Sequence, residues 1–444
     1  MKEFSPVFSR YTSFSPNVPV YCISQKNKPT IHRFYDTSPI SPSGRYLTIT
    51  ELPYEDRVPS YGDSAAVSVI DLEEGVEIYH SRTKAWDTQV GAHAQWGRND
   101  DELFFNRMDT GQWRAYGVKV NPFSGNEFRL SEAVYMVSHD GRYAIAPNFR
   151  KLSLVQRGYG ITIPNPEQYL HKGAPEEDGI FITDTGSGES RLLVSLSEIG
   201  QVIIRRGINL RFEDGGLYGF HVKYNPQDTR IMYVVRWVPL SGKKRGIKSF
   251  LITLKADGSD INLALCAEQW LWGHHPNWTP DGDHIIMNLP QKHGDSRALK
   301  YKRILEKIIR RLGFHCHFPD TGKFISKFRF DGMYMSIVAP DHTGSGHPSF
   351  HPDGRFLVTD SYNYELPAFK DGTIPIRLID IAKNNEKQIV RIRTIPKYNG
   401  PEGIFRVDPH PAWDRTGSYV VFNACPEGIR KVFIADLTNF IKVS

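Results

Sequence analysis

The chain has 444 residues, a formal net charge of +6, and glycine, proline and aromatic residues spread along its whole length. Long helical periodicities are rare, so the composition excludes a helical bundle and suits many short strands joined by tight turns. Basic residues form no nucleic-acid-type tail, no apolar run is long enough to span a bilayer, and the four cysteines (Cys22, Cys266, Cys316, Cys425) make no CxxC pair. These features predict a cytoplasmic protein with free thiols, without nucleic acid as a partner, for which an acidic substrate is permitted.

Taken in chain order, the first predicted strand is "NVPVYCIS" from Asn17, placed to close a ring by joining the last sheet. One unit then recurs: a short apolar run, a polar turn rich in Pro, Asp, Asn and Gly, and an alternating apolar run. It appears as "TSPISPSGRYLTITEL" from Thr37, "HAQWGRNDDELFFNR" from His93, "VYMVSHDGRYAIAPN" from Val134 and "HVKYNPQDTRIMYVV" from His221. It returns as "HHPNWTPDGDHIIMN" from His274, "GHPSFHPDGRFLVTD" from Gly346 and "PHPAWDRTGSYVVFN" from Pro409. Each is a β-hairpin signature. Most units continue into a third strand ending in Asp before a polar turn, as in "AAVSVIDLEEG" from Ala65, "GIFITDTGSGE" from Gly179 and "IPIRLIDIAKNNE" from Ile374. Seven such units predict an all-β fold, a single seven-bladed β-propeller over 1–444, with blades starting near 37, 93, 134, 221, 275, 347 and 410. An open pair of β-sandwiches does not require seven repeats. Blade five carries an insert whose segment "SRALKYKRILEKIIRRLGF" from Ser296 predicts a basic amphipathic helix over 296–312. It suits either packing on the neighbouring blade or peripheral contact with an anionic membrane. The "HCH" triplet at 315–317 looks like a metal motif but is isolated.

At one register position, six residues before the turn Asp or its equivalent, stand Thr37, His93, Val134, His221, His275, His347 and His410. The inner strand of a blade lines the central channel, so this register places the histidines at one mouth. His221, His275, His347 and His410 come from successive blades, and converging neutral imidazoles suit a divalent ion such as Zn²⁺ or Mn²⁺. The alternative is a hydrogen-bonded histidine ring that plugs the channel. His93 stands apart, as an acid/base, a substrate ligand, or a structural histidine. The loops between second and third strands crowd the same mouth. The blade-three loop, "NFRKLSLVQRGYG" from Asn148, brings Arg150, Arg157 and Tyr159 there, with Tyr143 on the preceding strand. Arginine offers a fork for a carboxylate, and a tyrosine beside cations can act as a base. Alternatively the arginines pin the loop to the acids of "APEEDG" from Ala174.

The histidine repeats, the "GAHAQWG" segment of blade two and the blade-three loop together resemble the propeller polysaccharide lyases, oligogalacturonate lyase and the propeller ulvan lyases. The resemblance implies β-elimination on uronic-acid-containing chains and a Mn²⁺ or Zn²⁺ ion held by His275, His347 and His410, with His221 as a further candidate. It also implies His93 and Arg157 on the substrate carboxylate, and Tyr143 or Tyr159 moving the proton. A non-catalytic propeller binding an acidic glycan or a protein partner is the competing expectation.

Overall fold

The computed structural model describes residues 4–24, 28–241, 246–290 and 323–443; the predicted helix over 296–312 and the triplet at 315–317, with Cys316, lie outside them. Seven antiparallel sheets follow one another along the chain, six of four strands and one of five, as a seven-bladed β-propeller. The ring closes as the sequence implies. Val20–Cys22 pairs antiparallel with Lys431–Asp436, setting Val20 opposite Ala435, and Ser9–Arg10 adds a fifth strand outside it. Pairing the two ends of the chain in one blade covers edges that would otherwise be open to another strand.

Burial follows the blade geometry. The third strands Ala65–Asp71 and Thr373–Asp380 are buried along their whole length, because each blade is covered on both faces by its neighbours. The outer strand Glu77–Thr83 carries exposed residues along its length. The hairpin turns explain the Asp-Gly repeat. Asp281 accepts bonds from the backbone of Asp283 and His284 and from the Thr279 hydroxyl, and Gly282 follows at a φ of +73° with Gln227 packed against it. Only glycine combines that dihedral with so close a neighbour.

Blade one departs from the expected start at Thr37. Its inner strand is Thr30–Ile31, paired with the end of Tyr46–Glu51; only one bridge, Ile40 to Leu47, is made further along. The intervening residues 32–36 leave the sheet and fill the axis, so the Thr37 register is not a strand position. Phe34 and Tyr35 pack against His347 and His410, and Phe34 also against His221. Beneath them Asp36 is ion-paired to Arg33 at 2.6 Å and to Lys223 at 3.1 Å, all three buried. Burial alone would raise the Asp36 carboxyl, but the two cations outweigh it and hold the group far below the usual carboxylate range.

The recurrent histidines also have a backbone role. His93, His275 and His410 adopt φ of +59°, +61° and +49°, and Gly346 just before His347 sits at +65°. Left-handed backbone favours Gly, Asn, Asp and His among residues. The inner strand therefore turns sharply into the channel mouth at this position in four blades. In blade four the turn is replaced by a bulge between Gly219 and Val222 that carries His221.

Candidate functional site

Above the axial plug lies a cavity of about 190 Å³ lined by residues from blades three to seven and the plug itself. The blade-three loop reaches over it: Tyr159 is buried against Phe220 and His221, while the backbone of Gly158 and Gly160 is held by Thr88 and Asp87. His221 is half-buried at the wall. Its Nδ1 pairs with the hydroxyl of Tyr135 below, and its ring lies on Phe220 at 3.7 Å between centroids. That pairing fixes the ring and leaves Nε2 for the cavity. Burial, then the Lys223 and Arg236 charges, push the His221 imidazole well below its ordinary value, so it is neutral at neutral pH.

Two guanidinium groups share the cavity. Arg236 lies over Phe220, donates to Gln156 Oε1 at 2.9 Å, and has a buried Nε without a partner among the described residues. Burial pulls its pKa down to about 10, still charged at neutral pH. Arg406 donates to Asp408 at 2.8 Å and to the Tyr159 hydroxyl at 3.4 Å. Burial opposes its charge, but Asp408 outweighs that and keeps it protonated. Tyr159 and Tyr362 both have phenols raised by burial, so they are proton donors rather than anions at neutral pH. This corrects the expectation that neighbouring cations make Tyr159 a base: desolvation wins.

Behind the cavity lie the metal-type donors. His347, Asp408 and His410 are buried and offer ligand atoms within 4.8 Å of one another. His347 Nδ1–H donates to the Asp360 carboxylate at 2.9 Å, which leaves its buried Nε2 lone pair without a partner; both nitrogens of His410 are likewise unpartnered. Orphaned buried acceptors, one carboxylate and a carboxylate-oriented imidazole are the donor chemistry of a divalent ion site. These residues fit such an ion. His275 stacks on His347 at 3.7 Å, but its Nδ1–H donates to the Gly346 carbonyl and its Nε2 accepts from Tyr362 at 3.2 Å. His275 thus has both ring nitrogens engaged elsewhere, and His221 turns its remaining Nε2 to the cavity; neither belongs to the three-donor group.

The other expected site residues scatter. His93 is buried between Tyr135 and Phe149 with Asp87 at 3.5 Å, and does not line the cavity. Arg150 donates to the backbone carbonyls of Gln112 and Trp113, toward the blade-two side and away from the cavity. Tyr143 begins its strand at the hairpin-turn end, so the strand's length separates it from the loop after Ala146, and it is exposed. A strand carries its two ends to opposite mouths, which is why Tyr143 and Tyr159 do not meet. Arg157 is exposed and pairs with Glu402 at 3.5 Å rather than with the acids after Ala174. Tyr135, Arg236, Tyr362, Arg406 and Asp408 were not singled out from sequence; the spacing of Asp408 and His410, two apart on a strand approach, was the available signal. A larger cavity of about 410 Å³ opens at the opposite mouth, below Asp36 and Lys223, and is walled by Trp96, Trp278 and Trp413.

No family model and no curated protein matches the chain by sequence. Solved structures do. An oligogalacturonate lyase in complex with manganese superposes with a TM-score of 0.62 at 12% identity, covering 98% of this chain and 97% of the other. The oligogalacturonate lyase of Vibrio parahaemolyticus gives 0.61 at 12% identity with the same coverage. At this identity the likeness is one of fold over the whole chain.

Proposed function

We propose that the protein is a lyase of acidic oligosaccharides that cleaves next to a uronic acid by β-elimination. The observation that carries this is the 190 Å³ cavity in which a neutral His221 imidazole, two guanidinium groups and two protonated phenols converge. The manganese-bound oligogalacturonate lyase of the same fold supports it.

In this reaction a base removes the proton at C5 of the uronate, the electrons pass into the C4–C5 bond, and the C4–O4 bond breaks toward the leaving sugar. The carboxylate on C5 must be neutralised, because the developing anion is delocalised into it. Arg236 and Arg406 supply fixed positive charge for that role and for binding. With Nδ1–H donating to the Tyr135 oxygen, His221 presents its Nε2 lone pair to the cavity as the base. Tyr159, kept protonated, gives its proton to the departing O4. A divalent ion held by His347, Asp408 and His410 would supply Lewis-acid stabilisation of the carboxylate charge. The phenyl and phenol of Phe34 and Tyr35 close the floor and exclude bulk water.

The test is ultraviolet absorbance of the conjugated double bond formed between C4 and C5, followed with oligogalacturonates, with and without chelator. A rise that vanishes in Arg236→Ala supports the lyase, and no rise on any uronate overturns it. A second reading, a propeller that binds an acidic glycan or a protein partner without turning it over, is favoured by the filled axis and by the Arg157–Glu402 pair. Tight uronate binding without absorbance change would establish it.

A further inference from the structure

We infer that Tyr364 is the stacking platform for the sugar ring adjacent to the one held in the cavity, an inference that rests on the oligosaccharide reading above. The cavity, at about 190 Å³, falls below the range usual for drug-sized ligands, so it has room for a single ring and a second must lie at its rim. At that rim the exposed surface is aromatic. Tyr364 lines the cavity yet remains 58% exposed.

The Tyr364 ring is held as a flat surface rather than left to swing. It lies parallel to Tyr362, at 9° between planes and 5.3 Å between centroids. Tyr362 is anchored in turn by its hydroxyl on His275 Nε2. The loop beneath is fastened by Glu365, whose carboxylate takes Lys323 Nζ at 2.9 Å and the Tyr362 backbone N–H at 3.3 Å. Ordering the platform before binding lowers the entropy lost on association. A pyranose presents one face of C–H groups, and the negative face of an aromatic ring attracts such weakly positive hydrogens while both surfaces leave water. No charge on the sugar is needed for this contact. The platform therefore serves neutral and acidic rings alike, whereas Arg236 and Arg406 inside the cavity discriminate for the carboxylate.

The experiment compares galacturonate with its disaccharide by titration calorimetry, using the full chain with His221→Gln throughout to prevent turnover. The disaccharide is expected to bind more tightly than the monosaccharide by about five- to tenfold, the ratio collapsing in Tyr364→Ala and returning in Tyr364→Trp. Leu366→Ala, a neighbouring exposed residue outside the cavity, controls for loop damage and should leave the ratio unchanged. A ratio that survives Tyr364→Ala overturns the platform and leaves the lyase reading intact. The corresponding neutral galactose disaccharide separates the other failure: if it binds with Tyr364 dependence and the acidic one does not, the platform stands and the uronate reading falls. If neither disaccharide binds better than its monosaccharide, the platform is refuted.

Discussion

Replacing Asp36 by Asn is expected to be among the most damaging isosteric changes in the molecule. Asp36 is the carboxylate between Arg33 at 2.6 Å and Lys223 at 3.1 Å, all buried in the axis. Removing its charge leaves two buried cations facing each other, a change that typically costs about 3–5 kcal/mol. The upper limit has an independent origin. Lys223 can escape by losing its proton, and from its ordinary 10.5 to pH 7 that costs about 5 kcal/mol at about 1.4 kcal/mol per unit. With an unfolding entropy of roughly 2 cal/mol/K per residue, the loss corresponds to a Tm lower by about 3–5 °C in scanning calorimetry at pH 7. The pH dependence has a definite sign. A lysine whose folded pKa is lowered binds more protons when unfolded, so the deficit shrinks as pH rises toward 10. The double variant Asp36→Asn/Lys223→Met should recover part of the loss at pH 7. A Tm of Asp36→Asn equal to the parent's, or a deficit independent of pH, would show that the axis is hydrated and would refute this account.

Asp360→Asn should weaken Mn²⁺ binding by about 10- to 100-fold in calorimetric titration, since the carboxylate fixes the tautomer and ring orientation of His347; unchanged affinity would exclude His347 as a ligand. His221→Gln should slow uronate elimination by about 10²- to 10⁴-fold, while circular dichroism stays as in the parent; retained activity would assign the base elsewhere. Because His221 is held neutral well below its ordinary value, the acid limb of the rate profile should fall below pH 6.5, and a limb near or above 7 would contradict that environment. Buried His32, pulled down to about 4, and His221, His275 and His410, pushed well below 6.5, must all gain protons on unfolding. Their folded pKa values are lowered, so the unfolded chain binds more protons below 6.5. Stability should accordingly fall with pH there by up to about 1.4 kcal/mol per histidine per unit, and a flat Tm between pH 6.5 and 5 would show these imidazoles to be charged in the fold.

The hairpin turns were legible because their chemistry is local. Asp281 and Gly282 make the same turn wherever they occur, and seven repeats of it can bury their faces only by stacking around a ring. The pairing of Val20–Cys22 with the last blade was legible too, since a ring closes by bringing a strand from one end of the chain into the blade at the other. The histidine register was visible too, but its meaning was divided. At His93, His275 and His410 the sequence shows a side chain suited to ligation and equally a residue tolerant of left-handed backbone. What distinguishes the channel histidines is the partner each meets in the fold: Asp360 orients His347, Tyr362 and the Gly346 carbonyl take both nitrogens of His275, and Tyr135 takes only Nδ1 of His221. Arg236 and Arg406 carry no local mark of function, and become a pair only because blades four and seven face one cavity. Tyr143 and Arg150 had the right chemistry but the wrong end or side of their blade. The amino-acid sequence thus determined the blades and their closure, through turns and alternation that act over a few residues. Only the tertiary structure decided which imidazoles share a centre, because blade one leaves its sheet at residues 32–36 and fills the axis, a choice made by packing across the whole ring rather than by any local propensity.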